Sequence, residues 1–347
     1  MRPLAQSCMA QANDFAACHP DPQRERRGTI QLCDRIADRA GSFAAPRVAA
    51  LCCCLAMLWT ARAEKLTLAT YNIENYGPAD RMTEAGYRKD YPKPEPQKRA
   101  LRDAIRGLNA DVIVLQEMGP QAYLDELQRD LRTDGVAYPH ATLGVAVDAD
   151  RHVAILSRRP LQQVTTHTNL EFAYLGGRER VKRGLLEATL LTEAGPITLF
   201  AVHLKSRLTE RPDDPGSVIR RAAEATAIRD HVLRRFARPA ESRFVILGDC
   251  NDGKASKTVG FLQKRGKTEI ARLLPAADSR GELWTHAFRR EESYSRVDQI
   301  LVSPALMSVV RGGVAHIYDG DGVREASDHR PVFVVLMLGQ AAQPQPK

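Results

Sequence analysis

The chain has 347 residues, 44% of them hydrophobic and 27% charged, with 50 Lys and Arg against 42 Asp and Glu. That length and balance exclude a fibrous or wholly disordered chain and leave room for one large core or two modest ones. Six of the seven cysteines (Cys8, Cys18, Cys33, Cys52, Cys53 and Cys54) precede residue 55, so Cys250 stands alone in the remainder and no intramolecular disulfide can form there.

Residues 1–46 are rich in Arg, Asp, Ala and Gln without sustained periodicity, and read as an unstructured extension or a start site assigned too early. Next come Arg47, an apolar run of 13 residues from Val48 to Thr60, and the small-x-small sequence Ala61-Arg62-Ala63. The run is too short to cross a bilayer, and its charged flank and cleavage-like end read as a signal peptide over 47–63. Leu51 before Cys52 argues against a lipid-modified cysteine. The expectation is a periplasmic or secreted protein cleaved after Ala63, without a stable membrane anchor. Residues 64–340 are expected to form one domain, followed by a short disordered tail over 341–347.

From Lys65 onward the apolar pattern predicts strands over 66–73 and 111–116, near 153–157, 184–191 and 197–203, over 243–248, and near 298–303, 314–318 and 331–338. Helices are predicted over 97–108, 119–132, 217–236 and, shorter, 255–264. In the long helix Ser217 is the expected N-cap, and Ile219, Ala222, Ala223, Thr226, Ala227, Val232, Leu233 and Phe236 recur at helical spacing. The Pro-rich stretches 91–99 and 209–217 read as surface loops. Strands outnumber helices and lie mainly between them, which fits one α/β domain with a sheet core.

Polar residues collect where these strands end or begin. "LTLATYNIEN" ends on Asn72 and Glu74, "DVIVLQE" on Glu117, "ITLFAVHLKS" on His203 and "FVILGDCND" on Asp249 and Asn251. "SRVDQILVS" begins on Asp298, and "ASDHRPVFVV" sets Asp328 and His329 just before the last strand. Singly, each reads as a turn residue or a cap. Six such positions in one chain suit phosphodiester hydrolysis, which needs a hard cation held by one or two carboxylates, a base for the attacking water, and donors for developing charge. Glu117 and Asp328 can supply the carboxylates and Asn72 a neutral carbonyl. Asp249 can serve as base, with His203, Asn251 and His329 as donors and Asp298 orienting His329. No Cys or His cluster has zinc spacing, and neither a GxSxG elbow nor a glycine-rich phosphate loop occurs.

With these motifs in this order the chain resembles the endonuclease/exonuclease/phosphatase superfamily, in its deoxyribonuclease I-like and exonuclease III-like branches, over residues 65–338. The resemblance implies two packed mixed β-sheets flanked by helices, a four-layer α/β-sandwich, with the motif residues converging on one edge. It implies Asn72, Glu74, Glu117 and Asp328 around Mg²⁺, for which Mn²⁺ substitutes. It also implies a catalytic group of His203, Asp249, Asn251, Asp298 and His329. Cys250 departs from the family pattern, as does His152, which stands where glycine is common. Tyr138 and Tyr174 both compete for the tyrosine that some members place beside the phosphate.

The substrate is the least specified feature. A modest positive balance and Lys182, Arg183, Lys205 and Arg207 at strand ends suit a nucleic-acid substrate, with Arg183 and Lys205 expected to bind it. The expected activity is a monomeric, secreted, Mg²⁺-dependent nuclease. The alternative is a phospholipid or sugar-phosphate esterase on the same fold, or, in a different class, a non-catalytic binding module. A lipid substrate would be favoured by an exposed aromatic hairpin, and with 6% aromatics no such cluster stands out in the sequence.

Overall fold

The computed structural model describes residues 64–83, 85–209 and 211–339; the expected leader, the extension before it and the C-terminal tail lie outside the described residues. Thirteen strands build two sheets. They are β1 (Glu64–Asn72), β2 (Val112–Met118), β3 (His140–Gly144), β4 (His152–Ser157), β5 (Leu161–His167), β6 (Leu185–Leu190), β7 (Ile197–His203), β8 (Phe244–Asp249), β9 (Arg272–Leu273), β10 (Ala276–Ala277), β11 (Asp298–Val302), β12 (Ala315–Ile317) and β13 (Val332–Leu338). The first sheet runs β10-β12-β13-β1-β2-β4-β3 and the second β9-β11-β8-β7-β6-β5. Helices α1 (Glu95–Leu108) and α2 (Gln121–Thr133) cover the first sheet, and α3 (Val218–Arg235) and α4 (Lys257–Gln263) cover the second.

The central strands read as continuous apolar runs because both of their faces are covered. Leu66 and Leu68 of β1, Val112 and Val114 of β2, Leu199 and Ala201 of β7, and Val245 and Leu247 of β8 point into the layer between the sheets. Their neighbours alternate outward. Ala69, Tyr71, Ile113 and Leu115 meet Leu101, Ile105, Leu124 and Leu127 of the first helical layer, while Phe200, Val202 and Ile246 meet Ala225, Ile228 and Val259 of the second. The result is the expected four-layer α/β-sandwich.

In each sheet a parallel pair is joined through an α-helix, β1-α1-β2 in the first and β7-α3-β8 in the second. A parallel pair delivers both C-terminal ends to one edge. Asn72 and Glu117 therefore end up together in one sheet, and His203 beside Asp249 in the other. The antiparallel strands β11 and β13 bring their N-terminal ends to the same edge, with Asp298 opposite Asp249 in register and the turn 327–330 leading into β13.

Three sequence expectations are corrected here. The Pro-rich stretch 91–99 is not all loop, because α1 begins at Glu95 with proline in its first turn, a position where the missing N–H has no partner to lose. Ser217 sits at the N-cap position but caps nothing with its side chain; Asp214 does so, accepting the N–H groups of Ile219 at 2.8 Å and Arg220 at 3.0 Å. The buried stripe of α3 is Arg221, Glu224, Ala225, Ile228 and Val232, and Ile219 is exposed. Apolar spacing alone misplaces that stripe, since two of its members are charged. Strands β3 and β5 escaped the pattern because β3 is a half-buried edge strand and β5, "LQQVTTH", is polar and largely exposed.

Candidate active site

Strand β8 can close against β7 only because residue 248 is glycine: a Cβ there would lie 1.9 Å from the Val202 carbonyl oxygen, and its φ is 149°. Asp249 follows, buried. Its Oδ1 accepts the Asn251 N–H at 2.7 Å, an ordinary turn contact, with Asn251 itself at φ 51°. Its Oδ2 accepts Nδ2 of Asn251 at 3.1 Å and, from the other sheet, Nδ2 of Asn72 at 3.0 Å, with Nε2 of His203 at 3.7 Å. Burial and the neighbouring Asp298 charge push the Asp249 carboxyl up to about 6, against the pull of His329 and the bonds from Asn251 and Asn72.

His329 donates from Nδ1 to Oδ2 of Asp298 at 2.8 Å, and Asp298 is fully buried. The Thr285 hydroxyl oxygen accepts the N–H groups of Val297 at 3.1 Å and Asp298 at 3.2 Å, fixing the strand start that carries this carboxylate. Burial alone would discharge the imidazole. The charge of Asp298 and its hydrogen bond, with Asp328 and Asp249 nearby, instead hold His329 protonated well above the usual histidine range. His203 is driven the other way, by burial and by the positive charges of Arg183, His329 and Arg151. Two buried histidines thus stand at one edge in opposite protonation states, one cationic and one neutral.

A third group centres on the turn after β1. Oδ1 of Asn72 accepts the Glu74 N–H at 3.1 Å, and Oε2 of Glu74 accepts the Asp328 N–H at 3.2 Å. The Ser327 hydroxyl donates to the Asn72 carbonyl at 2.8 Å, tying the turn 327–330 to the end of β1. Glu117, at φ 61°, accepts the Asn75 N–H at 3.0 Å, one residue beyond Glu74. Burial and the charge of Asp328 raise the Glu74 carboxyl, while Lys93, Arg289 and Arg81 oppose the rise. Asp328 goes to about 2: burial works against ionisation, but the nearby His286 and the charges of His329 and Lys93 outweigh it. Three carboxylates and an amide oxygen are hard donors of the kind that hold Mg²⁺ or Ca²⁺, and the like-charge strain on Glu74 is what a cation relieves.

All nine expected metal and catalytic residues therefore lie at one edge. The two expected substrate cations do not present free charges there. Arg183 is buried, with Nε donating to Asp148 at 2.9 Å and Nη1 to the Leu204 carbonyl at 3.3 Å, so its charge acts as a fixed strut behind His203. The Lys205 ammonium folds back onto its own turn, donating to the Ser206 carbonyl at 3.1 Å and to the Leu208 carbonyl. Neither tyrosine reaches the site: Tyr138 donates to the Ala110 carbonyl in the core and Tyr174 to Asp214 at the start of α3.

Two site residues carried no legible signal. Lys93 is buried and donates to the Glu74 carbonyl at 3.2 Å, its ammonium pushed down to about 8 by burial. His286 sits with Nε2 3.6 Å from Asp328 and its ring 4.5 Å from that of His329. His286 opens a short hairpin, His286–Phe288 with Ser293–Ser295, that borders a groove of about 610 Å³ running away from Asp328. Trp284, Tyr294 and Leu283 line the groove together with Arg289 and Arg324. Tyr294 is 64% exposed and Leu283 52%. An aromatic cluster thus does exist beside the site, on the single stretch "LWTHAFRREESY" over 283–294, where charged residues interrupt the aromatic ones and hide the cluster from a reading by composition.

The family model described as Endonuclease/Exonuclease/phosphatase family matches residues 69–329. Among solved structures the fold is similar to beta toxin from Staphylococcus aureus (16% identity, 78% of this chain and 99% of that chain, TM-score 0.55). It is also similar to an endonuclease/exonuclease/phosphatase from Bacteroides vulgatus (18% identity, 79% and 99%, TM-score 0.55) and to sphingomyelinase C from Streptomyces griseocarneus (17% identity, 79% and 99%, TM-score 0.53). A second beta toxin structure, also 16% identical over 78% of this chain and 99% of that one with a TM-score of 0.55, carries bound magnesium ions. No match was found among curated proteins. The match spans every strand-end motif from the end of β1 to His329, and the chain belongs to the Endonuclease/Exonuclease/phosphatase family of hydrolases acting on phosphoester bonds.

Proposed function

We propose that the protein is a secreted, Mg²⁺-dependent phosphodiesterase whose substrate is nucleic acid. The observation that carries the reaction is the pairing of Asp249, a carboxylate that ionises at about 6, with the protonated imidazole of His329, their polar atoms and those of Asp298 lying within 4.8 Å of one another. Asp249 takes the proton of the attacking water as general base, since above about pH 6 it is ionised. His329 donates from Nε2 to a phosphoryl oxygen as charge develops on it, and Asp298 holds that imidazole in place and charged. Asn251 and neutral His203 orient the phosphate, and Asn72 aligns Asp249. Asn72, Glu74, Glu117 and Asp328 would hold Mg²⁺ or Mn²⁺, which when bound supplies charge neutralisation at the phosphate.

The groove beside Asp328 supports a polymeric, base-bearing substrate, because it offers guanidinium groups for phosphates and aromatic faces for bases. The same exposed Tyr294 and Leu283 favour a second reading, a phospholipid esterase that rests this rim on a lipid surface. Incubation with DNA, RNA and phospholipid vesicles, each with Mg²⁺ and with EDTA, separates them. Mg²⁺-dependent cleavage of DNA or RNA with intact vesicles is the expected result; hydrolysis of the lipid alone overturns the nuclease reading.

Export rests on the leader sequence over 47–63. Among the described residues no helix is long and apolar enough to cross a membrane.

A further inference from the structure

On the outer face of the second sheet, beneath α3, three side chains from three elements converge. His167 closes β5, Glu187 lies on β6 and His231 on α3. Nε2 of His167 is 2.8 Å and Nε2 of His231 is 3.1 Å from the same carboxylate oxygen, Oε2 of Glu187. The two imidazole rings are 4.0 Å apart. The other oxygen, Oε1, accepts Nε of Arg235 at 3.1 Å, one helical turn beyond His231. A cleft of about 530 Å³, bordered by Asn169, Asp230 and Arg234, opens the cluster to solvent.

We propose that His167, Glu187 and His231 form a second metal site, selective for Zn²⁺ or another borderline transition ion over Mg²⁺.

Two imidazoles and one carboxylate are a donor set that suits Zn²⁺ and its neighbours, whereas Mg²⁺ prefers oxygen alone. Tetrahedral coordination at zinc bond lengths sets ligand atoms about 3.3 Å apart. The N···O separations of 2.8 and 3.1 Å lie within about 0.5 Å of that spacing, and all three ligand atoms lie within 4.8 Å of one another. A neutral imidazole needs only to move its proton from Nε2 to Nδ1 to free the ligating lone pair. Burial holds His167 below its ordinary value despite the hydrogen bond and charge of Glu187, which keeps it neutral and available. Arg235 fixes Oε1 and leaves Oε2 as the single ligating oxygen, the outer-shell arrangement that commonly orients a metal-bound carboxylate. Arg234 and Arg235 oppose a cation electrostatically and Asp230 on the cleft rim offsets them in part. Solvent in the cleft completes the coordination. Bound there, the ion ties the edge strand β5 to β6 and α3.

The test uses the full chain, stripped with a chelator and then titrated with Zn²⁺, with metal content measured after dialysis. Wild type is expected to retain one equivalent more than a His167→Gln/His231→Gln double variant, and Glu187→Gln should weaken that equivalent at least about tenfold. Excess Mg²⁺ should not displace it. Equal Zn²⁺ content in wild type and a folded double variant overturns the proposal. Should the double variant fail to fold, Co²⁺ loading of wild type decides: paramagnetic shifts on the ring protons of both His167 and His231 support the site, and unshifted resonances overturn it.

Discussion

Nδ2 of Asn72 donates to Oδ2 of Asp249 at 3.0 Å, a bond between the last residue of a strand in one sheet and the last residue of a strand in the other, 177 positions apart. It fastens the two sheets at the edge where the motif residues converge and gives the proposed base one of the donors that keep it ionised. Asn72→Ala should raise the acid limb of the kcat pH profile above about 6, because losing a hydrogen bond to the charged form raises a carboxyl pKa. It should also cost about 1 to 3 kcal/mol in urea unfolding, the range for an unpaired buried polar group. An unmoved acid limb would dissociate Asp249 from the rate.

Asp298→Asn has a sharper signature. Asp298 raises both the His329 imidazole and the Asp249 carboxyl, so removing its charge lowers both. The alkaline limb, set by loss of the His329 proton, and the acid limb, set by ionisation of Asp249, should therefore move together toward lower pH. A pH profile of kcat on a chromogenic phosphodiester reads this directly; limbs moving apart would contradict the assignment.

Much of this edge was legible before the fold was known. Strands covered on both faces read as unbroken apolar runs, so a polar residue ending such a run marks a sheet edge, as with His203 after "ITLFAV" and Asp249 after "FVILG". The exposed β5 and the half-buried β3 give no such run. Lys93 and His286 look like loop residues because their significance lies in contacts with Glu74 and Asp328, more than 18 positions away in the chain for Lys93 and more than 40 for His286. Arg183 misled for the converse reason: a basic residue at a strand end looks solvent-facing, and only the position of Asp148 turns it inward.

That correction changes the expected salt dependence. On a DNA oligonucleotide, kcat/KM should drop by about tenfold or more between ~50 and ~200 mM salt through counterion release. Arg289→Ala, at the exposed rim of the groove, should flatten the slope by about one unit. Arg183→Ala should leave the slope and instead lower stability, since it takes from the buried Asp148 its closest cationic partner. Equal flattening by both changes would return Arg183 to the substrate surface.

The Glu187 cluster predicts an acid-stability limb in metal-free protein. Burial alone would raise this carboxyl, yet the hydrogen bonds from His231, His167 and Arg235 bring it down to about 2. A folded value below the unfolded one, about 4.3, gives stabilisation that is complete above pH ~4.3 and is lost as pH falls toward ~2. Glu187→Gln should flatten the fall of unfolding free energy across that window. Parallel curves for wild type and variant would show that the carboxylate contributes nothing there.

The central claim, that Asp249 and His329 serve one transition state, is tested most directly by a double-mutant cycle. kcat is measured with Mg²⁺ on a chromogenic phosphodiester for wild type, Asp249→Asn, His329→Ala and the double variant, each shown to be folded by circular dichroism. Each single change should lower kcat by about 10² to 10⁴, and the double variant should be no more than about tenfold worse than the poorer single. Losses that multiply fully in the double variant, or a single variant within a few-fold of wild type, would contradict the account.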